Sequence, residues 1–120
     1  MRRTGPTNIV LRKTIRALYK IACERRANIW RAVAEELERP HRRRRAVNIS
    51  RINRYTEPGD TVVVPGKVLG AGRLEHPVTI AAIGFSRTAL EKIKAVGGQA
   101  LHILELASKN PRGSNVKIIG

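Results

Sequence analysis

Arginine is concentrated in one short stretch of the chain, residues 38–56, which reads ERPHRRRRAVNISRINRYT. A guanidinium group is always charged, and its planar fork of donors matches the oxygens of a phosphate. Between Glu38 and Glu57 the sequence has no acidic residue to neutralise the cluster. Because crowded like charges disfavour folding, this density predicts a site for an anion that carries many phosphates. The arginines of the cluster are Arg39, Arg42, Arg43, Arg44, Arg45, Arg51 and Arg54.

A second row of cations follows a helical spacing nearer the N-terminus. Arg12, Arg16 and Lys20 recur every four residues, with Lys13 alongside. Like charges at this spacing cost an isolated helix about 0.2–0.5 kcal/mol per pair, so the row also favours a ligand that supplies negative charge. The short basic stretch at the start of the sequence adds two more cations, Arg2 and Arg3.

The charge of the whole chain supports a polyanionic partner. Its 120 residues carry a net charge of +15, and the pI is about 11.5. Residues 1–54 hold 16 Lys and Arg against four acidic residues, whereas residues 55–120 hold eight against five. A membrane partner is disfavoured, because the sequence lacks an apolar run of about 18 residues. The one cysteine, Cys23, cannot form an intrachain disulfide, and its place near an apolar helix stripe predicts a packed thiol.

Folded RNA fits this pattern better than DNA does. A DNA-reading helix normally mixes Arg with Asn, Gln or Ser, whereas the helices predicted here offer mostly Arg, Lys and apolar residues. Four aromatic residues are too few for the usual single-strand stacking platform. Recognition of the RNA backbone and shape is therefore expected. Three alternatives stay open: a solvated charge run or nuclear-import signal, a free-standing DNA-binding or chromatin-like protein, and an RNA-processing enzyme.

Arrangements that support catalysis or bind a metal or cofactor are not evident. Gly66-Lys67 lacks the other residues of a phosphate loop, and Gly70-Ala71-Gly72 has Glu75 where a dinucleotide fingerprint needs glycine. We interpret these glycines as permitting a tight turn between strands or a close approach of the backbone to RNA. The sequence predicts no enzymatic activity, cofactor, metal or small-molecule substrate. Surface or loop roles are expected for the three histidines, which are far apart: His41, His76 and His102.

Two helices are predicted before the arginine cluster, from the spacing of apolar residues. The first begins at Thr7 or Asn8, and the second is capped by Asn28 and ends at Pro40. The chain is thereby divided into a basic helical N-terminal segment with an arginine-rich linker, residues 1–45, and an α/β globular body, residues 46–120.

The body is predicted to alternate strands and helices. Val47 and Ile49 alternate as in a strand, and the period becomes helical near Ser50. Pro58-Gly59-Asp60 indicates a turn, in which Asp60 has a structural role. Further helices begin after the cap Ser86, ending at Gly97-Gly98, and after residue 103, ending at Lys109. The strands are 61–64 and 67–69, separated by a break at Pro65-Gly66, then the stretch HPVTIAAIGF, 99–103 and 116–119.

Three ordered blocks of the sequence resemble a known family. They are VNISRINRYTEPGDTVVVPGKVLGAG, FSRTALEKIKAVGG and NPRGSNVKII, and the basic run before Val47 also matches. Over nearly its whole length the chain is similar to large-subunit ribosomal protein eighteen of archaea and eukaryotes, a relative of bacterial large-subunit protein fifteen. The resemblance implies an α/β fold with an irregular β-β-α superhelical body, a structural role in the large ribosomal subunit and no enzymatic activity.

The resemblance also implies partners and a location. The partners are large-subunit ribosomal RNA and neighbouring large-subunit ribosomal proteins, and the location is the cytoplasmic ribosome. The positions that match basic residues of the family are Arg42 to Arg45, Arg51, Arg54, Lys67 and the loop from Lys109 to Arg112. The full predicted RNA-binding set is Arg2, Arg3, Arg12, Arg16, Lys20, Arg39, Arg42, Arg43, Arg44, Arg45, Arg51, Arg54, Lys67, Lys109, Arg112 and Lys117.

Overall fold

The computed structural model describes residues 9–38, 46–113 and 115–119 of the chain. Helices and strands alternate through most of this part, as the sequence predicts for an α/β protein. In chain order the elements are α1 (Ile9–Arg25), α2 (Asn28–Leu37), β1 (Ala46–Asn48), α3 (Ile49–Tyr55), β2 (Thr61–Leu69), β3 (Thr79–Phe85), α4 (Arg87–Ala95), β4 (Gln99–His102), α5 (Ile103–Lys109) and β5 (Val116–Ile118).

All strands of the described residues belong to one parallel sheet, in which β2 is central. β3 pairs along one edge of β2, and β4 lies beyond β3. β5 and β1 share the other edge: β5 pairs with residues 61–63 of β2 and β1 with residues 67–69. Because β1 and β5 lie along the same edge, the arginine-rich N-terminal half and the last strand of the chain meet there.

Pro65 and Gly66 create an irregularity inside β2 and do not end it. The predicted break between two strands is wrong, because β2 runs from Thr61 to Leu69 and its pairing with β3 shifts register between Val64 and Lys67. Proline has no N–H to donate to a neighbouring strand. Here it lies between the part of β2 that pairs with β5 and the part that pairs with β1, where that loss costs least.

Helices cover both faces of the sheet. Successive residues of a strand point to opposite faces, so Val63 packs in one core with α1, α2 and α5, whereas Val62 and Val64 pack in a second core with α3 and α4. All three valines are fully buried. Burial on both faces explains why the strand is a continuous apolar run and does not alternate.

The two N-terminal helices form the first core together with α5. The apolar stripe predicted for α1 is confirmed, since Ile15, Leu18 and Ala22 are buried, and α2 buries Trp30, Val33 and Leu37 in the same core. This core also contains Val63 and Ala81 of the sheet. The boundary predicted at residue 45 lies outside the described residues, so the division into two parts stays a prediction.

Two local predictions for these helices are wrong. Asn28 does not cap α2, because the helix begins at Asn28 itself and the capping position is Ala27, whose backbone is extended and whose side chain has no acceptor. Cys23 is exposed and not packed, because it lies one position beyond the buried Ala22 and turns to the solvent side of α1. Pro40, predicted to end α2, lies outside the described residues; α2 ends at Leu37.

Side-chain hydrogen bonds cap the beginnings of α4 and α5. The side-chain oxygen of Ser86 accepts a hydrogen bond from the Ala89 N–H at 3.1 Å, which confirms Ser86 as the cap of α4. α5 begins one residue earlier than predicted, because His102 Nδ1 accepts from the Leu104 N–H at 3.1 Å while Glu105 accepts from the His102 N–H at 3.0 Å. His102 therefore has a structural role as a helix cap.

The connection from β2 to β3, residues 70–78, lies against α3 and α4. The prediction of a tight turn between strands is wrong here. β2 and β3 are parallel, so the chain must return to the other end of the sheet between them. A Cβ atom on Gly70 would lie 2.6 Å from Thr88 Cβ, and one on Gly72 (φ +93°) would overlap Ser50. Lys92 Nζ donates to the carbonyl oxygens of Gly70 and Gly72 at 2.7 and 2.6 Å. The glycines thus permit a close approach to the helices of this protein.

In the described part of the chain, no helix combines the length and the apolar content needed to cross a bilayer.

Replacing Gly70 with alanine should destabilise the fold, because the added Cβ would meet Thr88 Cβ at 2.6 Å and the backbone nitrogen of Ala89 at 2.9 Å. We expect a loss of about 1–3 kcal/mol in the free energy of unfolding, measured by chemical denaturation. Gly84→Ala is the matched control, because nothing lies within 4 Å of the added atom there. Equal stability of the two variants would contradict this account of the connection.

Candidate nucleic-acid interface

α3 presents two of the predicted arginines to solvent. Its buried side consists of Ile49 and Ile52, which are both 0% exposed. Arg51 and Arg54 lie on the opposite, exposed side. The change from strand to helix predicted near Ser50 is confirmed, and it is this change that separates the isoleucines from the arginines.

Side-chain hydrogen bonds fix α3 against the 70–78 connection. Asn53 Nδ2 donates to Glu75 Oε1 at 3.0 Å, and the Glu75 N–H donates back to Asn53 Oδ1 at 3.0 Å. At the end of the helix, Thr56 Oγ1 donates to the Ile52 carbonyl at 2.7 Å and lies 2.8 Å from His76 Nε2. His76 therefore helps to end α3, and the arginines of α3 stand on a rigid support.

Tyr55 is exposed, although its spacing from Ile52 suggests an apolar position. Its exposed fraction is 54%, and the Arg51 guanidinium carbon lies 5.5 Å from the centroid of its ring. A cation over an aromatic ring is a favourable contact. The two side chains line a groove of about 400 Å³ between α3 and β5, which is completed by Lys117, Ile118 and Ile119. Sequence reasoning missed Tyr55; the signal was its i, i+4 spacing from Arg51.

Asp60 holds Lys117 at the edge of this groove. Asp60 Oδ2 accepts from the Glu57 N–H at 2.8 Å and from Lys117 Nζ at 2.9 Å. These two hydrogen bonds, first that from Glu57 and then that from Lys117, lower the pKa of Asp60 below its usual value. The turn role predicted for Asp60 is confirmed, because its N–H also donates to the Glu57 carbonyl at 3.1 Å.

The loop after α5 carries Lys109 and Arg112, which are both exposed. Trp30 of α2, which is fully buried, donates from Nε1 to the Asn110 carbonyl at 3.1 Å. Gly113 (φ +69°) packs so closely on Ile29 that a Cβ atom there would overlap it. The loop is thus positioned by an N-terminal helix that lies about 80 residues earlier in the sequence.

The row of cations on α1 lies on the solvent side of that helix. Arg12, Arg16 and Lys20 are exposed, whereas Ile15 and Leu18 face the core. On the same helix, the Tyr19 hydroxyl donates to Glu38 Oε1 at 2.5 Å, which ties α1 to the residue that follows the last residue of α2. This hydrogen bond with Glu38 and the partial burial of the ring raise the pKa of Tyr19 to about 12.

Most of the predicted cations in the described residues have no ion pair with a described carboxylate. Arg31 pairs with Glu35 at 3.5 Å and Arg87 with Glu91 at 3.8 Å, each one helical turn away. Among the predicted RNA-binding residues that the structure describes, Lys117 pairs with Asp60. Seven others are exposed and form no ion pair with a described carboxylate: Arg16, Lys20, Arg51, Arg54, Lys67, Lys109 and Arg112.

The predicted set is brought together only in part. Arg51 and Lys117 line one groove, and Arg54 lies on the same helix as Arg51. Arg12, Arg16 and Lys20 lie on the opposite layer of the sheet, because α1 packs in the first core and α3 in the second. Predicted residues outside the described part of the chain are Arg2, Arg3, Arg39, Arg42, Arg43, Arg44 and Arg45, and the histidine His41 lies there as well.

Among the described residues, no group of three or more His, Cys, Asp or Glu side chains is placed to hold a metal ion.

Comparison with known families decides which protein class this is. The family model described as "Ribosomal protein 60S L18 and 50S L18e" matches residues 2–120. The chain belongs to this family. A relative from Methanopyrus kandleri, named "Large ribosomal subunit protein eL18", is 51% identical over 97% of this chain and 95% of its own length. One of the same name from Methanothermobacter thermautotrophicus is 48% identical over 99% of this chain and 98% of its own length.

Membership of the family confirms the resemblance seen in the three sequence blocks. It also confirms that the protein is a ribosomal protein and not an enzyme, with the cytoplasmic ribosome as its location. The RNA-binding role of individual residues stays a prediction.

The tie between Tyr19 and Glu38 can be measured through the ionisation of Tyr19. In a Tyr55→Phe variant Tyr19 is the only tyrosine, so the ultraviolet absorbance of tyrosinate should give a midpoint at about pH 12. Since the pKa is raised in the folded state, this tie stabilises the protein below pH 10 and the effect is lost as the pH rises through about 12.

Adding Glu38→Ala to that variant should move the midpoint back toward 10, because the acceptor of the Tyr19 hydrogen bond is removed. Glu24→Ala, which removes an exposed carboxylate from the same helix, is the matched control and should leave the midpoint unchanged. Circular dichroism at each pH checks that the helices persist. A midpoint near 10 with Glu38 present would contradict the assignment.

Proposed function

We propose that this protein is a structural constituent of the large ribosomal subunit and that its exposed arginines and lysines bind ribosomal RNA by contacting phosphates. The observation that carries the proposal is the group of seven exposed cations that no described carboxylate pairs: Arg16, Lys20, Arg51, Arg54, Lys67, Lys109 and Arg112. The names of the archaeal relatives, large ribosomal subunit proteins, support the same role.

The physical reason is the free energy gained when cations replace the counterions condensed on RNA. Each phosphate that a cation neutralises releases counterions, which makes affinity high at low salt and strongly salt-dependent. Arginine outnumbers lysine in the predicted set, and its planar donors can hold two phosphate oxygens at once. The exposed guanidinium groups on α3 are well suited to this contact because α3 itself is fixed on its other side.

The arginine run ends at Arg45, directly before β1 in the sequence. Ala46, the first described residue after the run, pairs with Lys67 on the edge of β2 that β5 also occupies. We propose that Arg39 and Arg42 to Arg45 bind phosphates of the same RNA region as Lys67. Because α1 and α3 lie on opposite layers of the sheet, the protein is expected to contact RNA on both layers and to be wedged between RNA segments.

Two finer parts of the proposal concern the body and its neighbours. We propose that residues 46–120 form the irregular β-β-α superhelical body that the family resemblance implies; the succession β2, β3, α4 supports this description. Neighbouring large-subunit ribosomal proteins are proposed as further partners.

The test is the salt dependence of binding to a folded fragment of large-subunit ribosomal RNA. With about eight phosphates neutralised, the plot of log affinity against log salt concentration should have a slope of about −6 to −7. Isothermal titration or anisotropy across a range of KCl concentrations gives this slope. Duplex DNA of matched length should bind more weakly; equal or tighter binding to DNA would support the alternative of a free-standing DNA-binding protein.

Variants test whether the named cations make the contacts. The double variant Arg51→Ala, Arg54→Ala should flatten the slope by about 1.5, because each lost phosphate contact removes about 0.7–0.9. Arg31→Ala, Arg87→Ala is the matched control: it removes the same charge, but from arginines that carboxylates already pair. If both double variants flatten the slope equally, net charge and not these positions governs binding, and the assignment of the site fails.

A further inference from the structure

The groove between α3 and β5 has the shape and chemistry to hold one unpaired nucleotide. We infer that it takes a single extruded nucleotide of the bound RNA, with its base stacked on the Tyr55–Arg51 pair and its phosphate beside the Arg51 guanidinium. The inference rests on the proposed function and extends it, because it assigns recognition of an RNA structural feature to a surface that phosphate contacts alone leave unexplained.

Tyr55 is the first reason. All four aromatic residues of the chain lie in its described part. Trp30 is fully buried, Phe85 packs against the second core, and the Tyr19 hydroxyl donates to Glu38. Tyr55, 54% exposed, is the aromatic side chain of this group that a ligand can reach over most of its surface. Aromatic rings and guanidinium planes are the surfaces on which proteins stack unpaired RNA bases.

The walls of the groove supply the second reason. Besides Tyr55, the groove is lined by Ile118 of β5, which is 41% exposed, and by Ile119 directly after β5, which is 7% exposed. The volume of about 400 Å³ falls in the range of small-ligand sites. An aromatic ring and two isoleucines thus line the groove together with two cations, which gives the flat faces of a base apolar surface to contact.

Charge determines which way the nucleotide lies. Asp60 pairs with Lys117 at 2.9 Å and is the carboxylate at that end, so an anion is less favoured there. Arg51 forms no ion pair with any described carboxylate, and Arg54 lies one turn further on the same helix. The phosphate is therefore placed at the α3 side, and the spare donors of the Lys117 ammonium face the base or the ribose.

An apolar segment of a neighbouring protein is the other occupant to consider. The cations that line the groove favour a nucleotide, because an apolar side chain gives Arg51 no negative charge. A base inside an A-form helix is stacked and paired and cannot enter. The groove should therefore discriminate between RNA with an unpaired nucleotide and fully paired RNA.

The test compares two RNA hairpins of the same stem, one fully paired and one with a single bulged 2-aminopurine. The full-length protein should bind the bulged hairpin about tenfold more tightly, and the fluorescence of the 2-aminopurine should fall on binding because the base becomes stacked. Tyr55→Ala should reduce this preference to less than about twofold while the salt slope of affinity stays unchanged. Tyr55→Phe should keep the preference, since the ring remains.

Leu90→Ala is the matched control, because Leu90 is 44% exposed on α4 and does not line the groove. It should leave the preference for the bulged hairpin unchanged. The inference is overturned if the unmodified protein binds both hairpins equally, which is the result expected if the groove holds a protein segment. It is also overturned if the Tyr55→Ala variant keeps the preference for the bulged hairpin. In both cases a steep salt slope would leave the proposed function standing. Absence of salt-dependent binding to either hairpin would contradict the proposed function as well.

Discussion

Unbalanced positive charge is the constraint on which the rest of this structure depends. The chain has 24 Lys and Arg but nine Asp and Glu, and several of the nine are engaged in local structure. Glu105 accepts from the N–H of His102, Glu75 bonds to Asn53, and Asp60 accepts from the N–H of Glu57. Acidic side chains are thus used to position backbone and helices, and seven of the nine predicted cations in the described residues form no ion pair with a described carboxylate.

The fold keeps two groups of these cations apart and supports each of them. A parallel sheet that is covered on both faces separates the cations of α1 from those of α3 by the thickness of three layers. Each group stands on an element that is fixed from within: α1 by Ile15 and Leu18, α3 by Ile49 and Ile52, and the loop after α5 by Trp30. A rigid arrangement reduces the entropy lost when phosphates bind.

Local features of the fold were predictable from the sequence where one short segment determines them. The stripe of α1, the Ser86 cap and the Asp60 turn follow from spacing and from side chains that bond within three residues. The errors arise where distant segments decide. Pro65-Gly66 looks like a break because the partner strands of β2 cannot be seen in its own sequence, and Gly70 and Gly72 look like a turn because the parallel pairing is non-local.

The candidate site was predictable as a set of charges but not as a surface. Exposure of the cations is predictable because charged side chains usually lie at the surface. Their division between two layers depends on which helices pack on which face of the sheet. Tyr55 was missed because its spacing from Ile52 fits a buried position equally well, and its 54% exposure and its place beside Lys117 and Ile118 depend on tertiary structure that its own segment does not reveal. The family match, residues 2–120, carries information on the ribosome that neither charge nor packing contains.

The most direct test of the central claim is the midpoint temperature of thermal unfolding. It is measured for the free protein from low to high ionic strength, and then with folded ribosomal RNA at low salt. If like-charge repulsion opposes folding and a polyanion relieves it, the midpoint should rise by several degrees as salt screens the charges, and should rise again when RNA is added at low salt. A midpoint that is the same at low and high salt and unchanged by RNA would contradict the account.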